Sequence, residues 1–188
     1  PTLLAAHEVP EEYRHRRGAY LDLVCEEIVP AAAEQGLARF CDVFCEKGVF
    51  SAAESRRVLA AGVRYGLLPR LLLLPGTSFF LAKKVYAPAR RLIAAGVPVA
   101  LGTDCNPGSS YTESLPTIAQ LAVFELGLSI EEALTAVTLN SACSLGLGAE
   151  IGSLETGQRA AVVLLEAPNL LHLAYHYGVN PVRRVIKA

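Results

Sequence analysis

Apolar positions in this chain come in short continuous runs, separated by longer stretches with helical spacing. Thr2–Ala6 is the first run and predicts a strand. Tyr20, Leu23, Val24, Ile28 and Ala31 fall on one stripe and predict a helix over 19–35, with Pro30 as a kink. Phe40–Cys45, bounded by Gly36 and Gly48, predicts a second strand. Ser51-x-x-Glu54 is a capping box. It opens a helix whose inward face is Val58, Leu59, Gly62, Val63 and Tyr65, and Gly66 ends it. Leu71–Leu74 and Val97–Leu101 are all-apolar strands, and between them Pro88–Ala95 reads as a helix ending at Gly96. Strands apolar on both faces, each following a helix, mark a buried parallel sheet. The fold class is therefore α/β, an open sheet or a barrel.

After Gly102 the pattern changes. Asp104–Thr112 is a polar loop rich in turn formers. Leu115–Leu126 is a helix with Leu115, Ile118, Ala119 and Ala122 inward, and Ser129-x-x-Glu132 opens another helix through Val137. Ser141–Leu145 adds a turn or two. Gly152, Gly157 and the apolar segments Ala160–Leu165 and Val182–Ile186 predict a small β appendage. One stretch fits none of this. In Leu67-Leu68-Pro69-Arg70-Leu71-Leu72-Leu73-Leu74, Pro69 interrupts what should be a central strand, where it cannot donate to the ladder. Two strand beginnings run together there, so a discontinuity is expected near Arg70–Leu71.

Composition narrows the function classes. With 52% hydrophobic residues in 188 and a mean hydropathy of +0.36, the chain can bury a core and is not intrinsically disordered. Seventeen Lys and Arg against eighteen Asp and Glu leave no electrostatic footprint for nucleic acid or an anionic membrane. The longest uncharged run, Ala133–Ala149, is shorter than the roughly 20 residues of a spanning helix, so a soluble protein is expected. Cys25, Cys41, Cys45, Cys105 and Cys143 form no Cys-x-x-Cys pair. They read as reduced, mostly buried thiols of a cytoplasmic protein. The chain opens at Pro1, already strand-like and with no Met, which is the pattern of a fragment.

Charge is uneven. From Leu92 to Gln158 there is no Lys or Arg but there are seven acids, either solvated helix faces and helix starts or a field favouring a cation. Within that stretch Asp104 directly follows an all-apolar strand, so it sits at the strand's C-terminal end, where parallel α/β folds build their sites. Pro107-Gly108-Ser109-Ser110 can expose successive backbone N–H groups as an anion nest. An Asx turn capped by Asp104 or Asn106 explains the same residues. His7 and Glu46 also follow strands. A hydrogen-bonded structural histidine and a loop salt bridge are their plainer readings. His172 and His176, spaced i, i+4, could share a metal, but Gly178, Asn180 and Pro181 follow closely and structural packing is favoured. No complete catalytic set is present.

At these residues a resemblance becomes specific. Ala100-Leu101-Gly102-Thr103-Asp104-Cys105-Asn106-Pro107-Gly108-Ser109 resembles the Asp-x-Asn-Pro-Gly loop of the imidazolonepropionase family, metal-dependent amidohydrolases of histidine degradation. Ala5-Ala6-His7-Glu8-Val9-Pro10, Asp42-Val43-Phe44-Cys45-Glu46, Leu74-Pro75-Gly76-Thr77 and Tyr175-His176-Tyr177-Gly178-Val179-Asn180-Pro181-Val182 are similar to further segments, in order. Thr138 through Gly157 resembles the wider amidohydrolase superfamily, with Ala160 where Asp is usual.

The resemblance implies a partial (β/α)₈ barrel of the TIM type over residues 1–150 and a β-sandwich segment over 151–188. It implies one Zn or Fe ion, and ring opening of a small molecule, 4-imidazolone-5-propanoate, to N-formimidoyl-L-glutamate. A homodimer is compatible with it. By matched position Asp104 is the metal-binding and catalytic aspartate, and His7, Asn106, Gly108 and Ser109 are substrate-binding. His7 and Asp104 are expected to face a common cleft. In the implied mechanism a metal-bound water supplies hydroxide, and Asp104 passes its proton to the leaving ring nitrogen. Departures from the family pattern are equally clear. The His-x-His metal pair and a propanoate-binding arginine lie before Pro1. A segment with another metal histidine is missing near Leu67–Leu71, along with the next strand and its histidine. The chain, read as the C-terminal part with an internal gap, is expected to be inactive alone. The alternatives are an amidohydrolase acting on a different cyclic amide or amidine, and a degenerate, non-catalytic α/β module.

Overall fold

The first apolar run, Thr2–Ala6, is β1, and it pairs in parallel with β2, Phe40–Val43. The structure, a computed structural model, describes residues 1–46 and 48–187. It divides into two compact units, Pro1–Arg70 and Leu71–Ala188, with the division falling in the stretch where the sequence predicts a discontinuity.

In the first unit the predicted long helix is three segments. Helix α1 (Arg17–Leu23) continues through a π turn, Val24–Ile28, into α2 (Val29–Glu34). The π turn admits one extra residue, so the buried stripe runs Tyr20, Leu21, Val24, Cys25, then Val29 and Ala32, rather than through Ile28 and Ala31. Pro30, which lacks an N–H to continue the ladder, directly follows this π turn, at the second residue of α2. Strand β2 stops at Val43 rather than Cys45, because the Cys45 N–H turns back to the Val43 carbonyl at 3.0 Å.

Helix α3, Ala52–Arg64, opens on the predicted capping box with both reciprocal bonds formed. Its buried residues are Ser55, Val58 and Gly62, while Val63 and Tyr65, expected inward, are exposed. Gly62 lets the helix lie against β2, since a Cβ there would come within 2.8 Å of the Cys41 Cβ. Strand β3 is Leu68–Pro69 and pairs in parallel with β2, giving the order β1-β2-β3. Pro69 is tolerated because β3 is an edge of that sheet and not its centre. The N–H groups of Leu68 and Arg70 bond to Arg39 and Cys41, and the intervening residue needs no donor.

Arg17 ties the unit together. Its guanidinium bonds to both oxygens of Glu54, at 2.6 and 3.1 Å, and to the Val49 carbonyl. The Arg17 hydrogen bond, reinforced by the Ser51 backbone and hydroxyl, holds the Glu54 carboxyl down at about 2. A depressed carboxylate stabilises the fold fully above its unfolded value, and that stabilisation is lost as pH falls through the folded one. The melting temperature of the wild type is therefore expected to exceed that of Glu54→Gln at neutral pH. The difference should shrink between about pH 4.5 and about pH 2, as thermal melts across that window would show.

In the second unit β4 is Leu72–Leu73, shorter than the predicted Leu71–Leu74, with Leu71 exposed. Helices α4 (Pro75–Phe80) and α5 (Ala89–Ala94) lead to β5, Ala100–Leu101, which pairs in parallel with β4. Strand β5 is shorter than the predicted Val97–Leu101 because side chains occupy its other edge. Asn140 donates to the Val99 carbonyl and Ser141 to that of Leu101, both at 2.8 Å. Those two residues lie on α8 (Leu139–Ser144), which follows α6 (Leu115–Leu126) and α7 (Ile130–Val137). Ile118, Ala119, Ala122, Ala133 and Ala136 form the core with Leu101, whereas Leu115, expected inward, is exposed.

The predicted β appendage is an antiparallel pair, β6 (Ala161–Leu165) and β7 (Val182–Lys187), joined through α9 (Leu170–Tyr175). Buried Gln120 anchors this connection by donating to the Leu173 carbonyl and accepting from the Gly178 N–H. Of the five cysteines only Cys25 and Cys41 are buried. Cys45, Cys105 and Cys143 are exposed, against the expectation, because each sits in a turn or at a helix end rather than on a core face.

Candidate active site

Parallel pairing of β4 with β5 sets Leu72 opposite Ala100 and Leu73 opposite Leu101, so the segments leaving both strands emerge side by side. From β5 come Gly102, Thr103 and Asp104. From β4 comes the first turn of α4, with Pro75, Gly76 and Thr77 all buried. Gly76 permits this close approach, since a Cβ there would lie 2.7 Å from Ile118 Cδ1 and 3.0 Å from Ser110 Oγ. Ser110 is itself buried and donates to the Thr103 carbonyl at 2.7 Å.

Asp104 is half-buried, and its backbone is left-handed, with φ at +50°. For a residue other than glycine that conformation carries a cost, smallest for Asp and Asn. Its Oδ2 accepts the Thr77 hydroxyl at 2.7 Å and lies 3.3 Å from the Ser109 hydroxyl, whose single hydrogen has a nearer acceptor in Asn106 Oδ1 at 3.1 Å. No hydrogen bond to Oδ1 forms among the described residues.

The loop beyond is organised by Asn106. Its Nδ2 donates to the Asp104 carbonyl at 2.6 Å and to Ser109 Oγ at 2.9 Å, and its Oδ1 accepts the N–H groups of Gly108 and Ser109, both at 2.9 Å. Asn106 and Ser110 close the loop with a pair of backbone bonds. The Asx turn is thus real, with Asn106 as its cap and Asp104 left free of that duty. The anion nest is not formed, because Asn106 Oδ1 already takes the two N–H groups that would line it. All four hydrogen-bonding positions of the Asn106 amide are engaged inside the loop.

His7, in the first unit, directly follows β1 as predicted. Its Nε2 lies 3.7 Å from Asp42 Oδ2, on the neighbouring strand, and has no hydrogen-bond partner although that atom is buried. Its ring stacks on Phe44 at 5.9 Å. Asp104, Asn106, Gly108 and Ser109 therefore share one loop, and His7 has its own setting. Glu46 lies beyond the end of β2. The His172 and His176 rings lie 5.1 Å apart, tilted by 59°, and their segment is pinned through Gln120, in keeping with a structural role. Two residues near these strand ends carried no role in the expectations from sequence, Thr77 in the first turn of α4 and Asp42 within β2. Their only signal was membership of a segment of family resemblance.

Asp104 suits a metal ion as a hard, anionic donor. The remaining donors do not: among the described residues no three His, Cys, Asp or Glu side chains are grouped as metal ligands. A catalytic zinc takes about three protein ligands. Among the described residues no such set is complete. Among the described residues no helix is long and apolar enough to cross a membrane.

Comparison with known proteins follows the same lines. Residues 3–187 match the Amidohydrolase family. The chain is 45% identical to the imidazolonepropionase of Symbiobacterium thermophilum and 42% identical to that of Syntrophobacter fumaroxidans. In both cases 100% of the chain aligns with 54% of the relative. The chain thus spans about half the length of the curated relatives it matches. Among solved structures, a zinc-bound adenosine deaminase from Xanthomonas campestris superposes with a TM-score of 0.58 at 22% identity, covering 88% of this chain and 40% of that one. Guanine deaminase of E. coli gives 0.57 at 21%, covering 82% and 39%. These likenesses show the fold.

Proposed function

The chain belongs to the amidohydrolase family, and from that premise we propose that the whole protein to which it corresponds opens the ring of 4-imidazolone-5-propanoate in histidine degradation. The observation that carries this reading is the identity of 40–45% along the entire chain to imidazolonepropionases. In the reaction the oxygen of water bonds to the ring carbonyl carbon, the C–N bond breaks, and a proton passes to the departing nitrogen, leaving the carboxylate of N-formimidoyl-L-glutamate. Within this chain Asp104 is the group that carries the proton, through the carboxylate oxygen left unengaged by Thr77 and Ser109. Gly108 and Ser109 line the substrate's approach. Asn106 contributes chiefly by building the loop, because a substrate reaches its amide only by displacing a loop partner. His7, beside Asp42 and Phe44, is a substrate-binding residue in this reading.

The metal, Zn or Fe in this reading, would take Asp104 as one ligand and its other ligands from parts of the relatives' length that this chain does not span. The barrel reading, residues 1–150 with an appendage over 151–188, draws support from the two parallel sheets. Leu4 and Leu68 on the first sheet are 53% and 47% exposed, in a type of sheet ordinarily covered on both faces. An internal gap draws support from the alignment itself. It runs over 230 positions against 188 residues, so about 42 positions of the relative have no counterpart in this chain.

The test uses a completed protein, this chain joined to those parts of the Symbiobacterium thermophilum relative that it lacks. Offered 4-imidazolone-5-propanoate, other cyclic amides, cyclic amidines and aminopurines in parallel, it is expected to open the imidazolone ring with the highest kcat/KM and to release no ammonia. Preference for an aminopurine or a different cyclic amide would replace this reading with another member of the family. A metal-loaded protein inert to the whole panel would favour the non-catalytic module.

A further inference from the structure

The geometry points to Thr77 as a positioning residue for the carboxylate of Asp104, an inference that rests on the proposed role of Asp104 in ring opening. Thr77 is 4% exposed, and its hydroxyl reaches Asp104 Oδ2 at 2.7 Å, the shortest bond that carboxylate makes. The two residues lie 27 apart in sequence and are brought together by the register of β4 on β5. Asp104 is held in a left-handed backbone conformation, which does not by itself fix the side-chain rotamer. Ser109 offers only a longer contact of 3.3 Å to the same oxygen, from a half-buried loop residue. The Thr77 side chain, by contrast, sits in the first turn of a helix packed on Ile118 and Ser110, where Gly76 leaves no slack. A rigid donor on Oδ2 therefore differentiates the two oxygens. One is tied to the scaffold, and Oδ1 is the one presented for proton transfer. A buried threonine hydroxyl bonded only within its own helix would be ordinary packing. One that spends its hydrogen on a carboxylate from a neighbouring strand end sets the orientation of that carboxylate.

Two variants of this chain test the inference. Thr77→Val keeps the shape and removes the hydroxyl, and Thr77→Ser keeps the hydroxyl. Three-bond Hα–Hβ couplings of Asp104, read by NMR in the 188-residue chain, are expected to report one rotamer in the wild type and in Thr77→Ser, and rotamer averaging in Thr77→Val. In the completed protein Thr77→Val is expected to lower kcat about 10-fold with KM unchanged, and Thr77→Ser to recover most of it. A merely structural threonine would shift the melting temperature in both variants and leave the Asp104 couplings alone. A single Asp104 rotamer in folded Thr77→Val, or a wild-type kcat in that variant, would overturn the inference. A completed protein that opens no imidazolone ring would overturn the functional reading instead, and the couplings would still decide the place of Thr77.

Discussion

Asp104→Asn in the completed protein is expected to lower kcat for imidazolone ring opening by about 10²–10⁴-fold, the range lost when a general acid–base group is removed. The substitution is chosen for the backbone. At a φ of +50° an alanine suffers the left-handed clash, about 1–2 kcal/mol, while asparagine adopts this region readily. Asn also retains an oxygen to accept from Thr77. The loop therefore keeps its shape while the charge and the proton-carrying oxygen are lost. Asp104→Ala is expected to abolish turnover as well, but with a lowered melting temperature. Steady-state kinetics and thermal melts of both variants check this. Substantial turnover in folded Asp104→Asn would remove Asp104 from the chemistry.

The second large effect concerns the chain as it stands. Purified in the presence of Zn²⁺ or Fe²⁺ and freed of excess ion, the 188 residues are expected to retain far less than one equivalent of metal by emission spectroscopy. A single carboxylate whose Oδ2 already accepts the Thr77 hydroxyl is a poor ligand against water, and among the described residues no group of three or more His, Cys, Asp or Glu side chains could hold a metal. Joining the chain to the missing parts is expected to bring metal content to about one equivalent, as a one-metal catalytic site requires. One tightly held ion in the bare chain would mean that ligands exist which the described residues do not show.

What could be read from the sequence was the chemistry that acts over a few residues. Ser51 with Glu54 and Ser129 with Glu132 announce their helices because a capping box needs only four consecutive positions. Pro69 drew notice to the stretch where the two units divide, Arg70 and Leu71, because a proline is a local steric fact, although it sits at an edge and not in a sheet centre. Asp104 was legible as a strand-end carboxylate, and the strand and helix classes around it followed from apolar spacing. The π turn at Val24–Ile28 was not legible. It arises from fitting Pro30 and a shifted stripe against the sheet, which no local period encodes. Equally hidden was the division of labour in the loop. Asn106 caps the turn while Asp104 accepts from Thr77 on α4, a pairing set by the register of β4 on β5. The exposure of Cys45, Cys105 and Cys143 was misjudged because cysteine's usual burial says nothing of residues placed in turns.

The central claim is that the Asp104 loop serves imidazolone ring opening, and that this chain holds only part of the machinery. The loss of imidazolone absorbance over time, followed for the completed protein and for the 188-residue chain at equal concentration, tests it most directly. The expected result is steady turnover by the completed protein, with N-formimidoyl-L-glutamate accumulating, and a rate indistinguishable from buffer for the chain alone. Ring opening by the bare chain, or none by a folded, metal-loaded completed protein, would contradict the account.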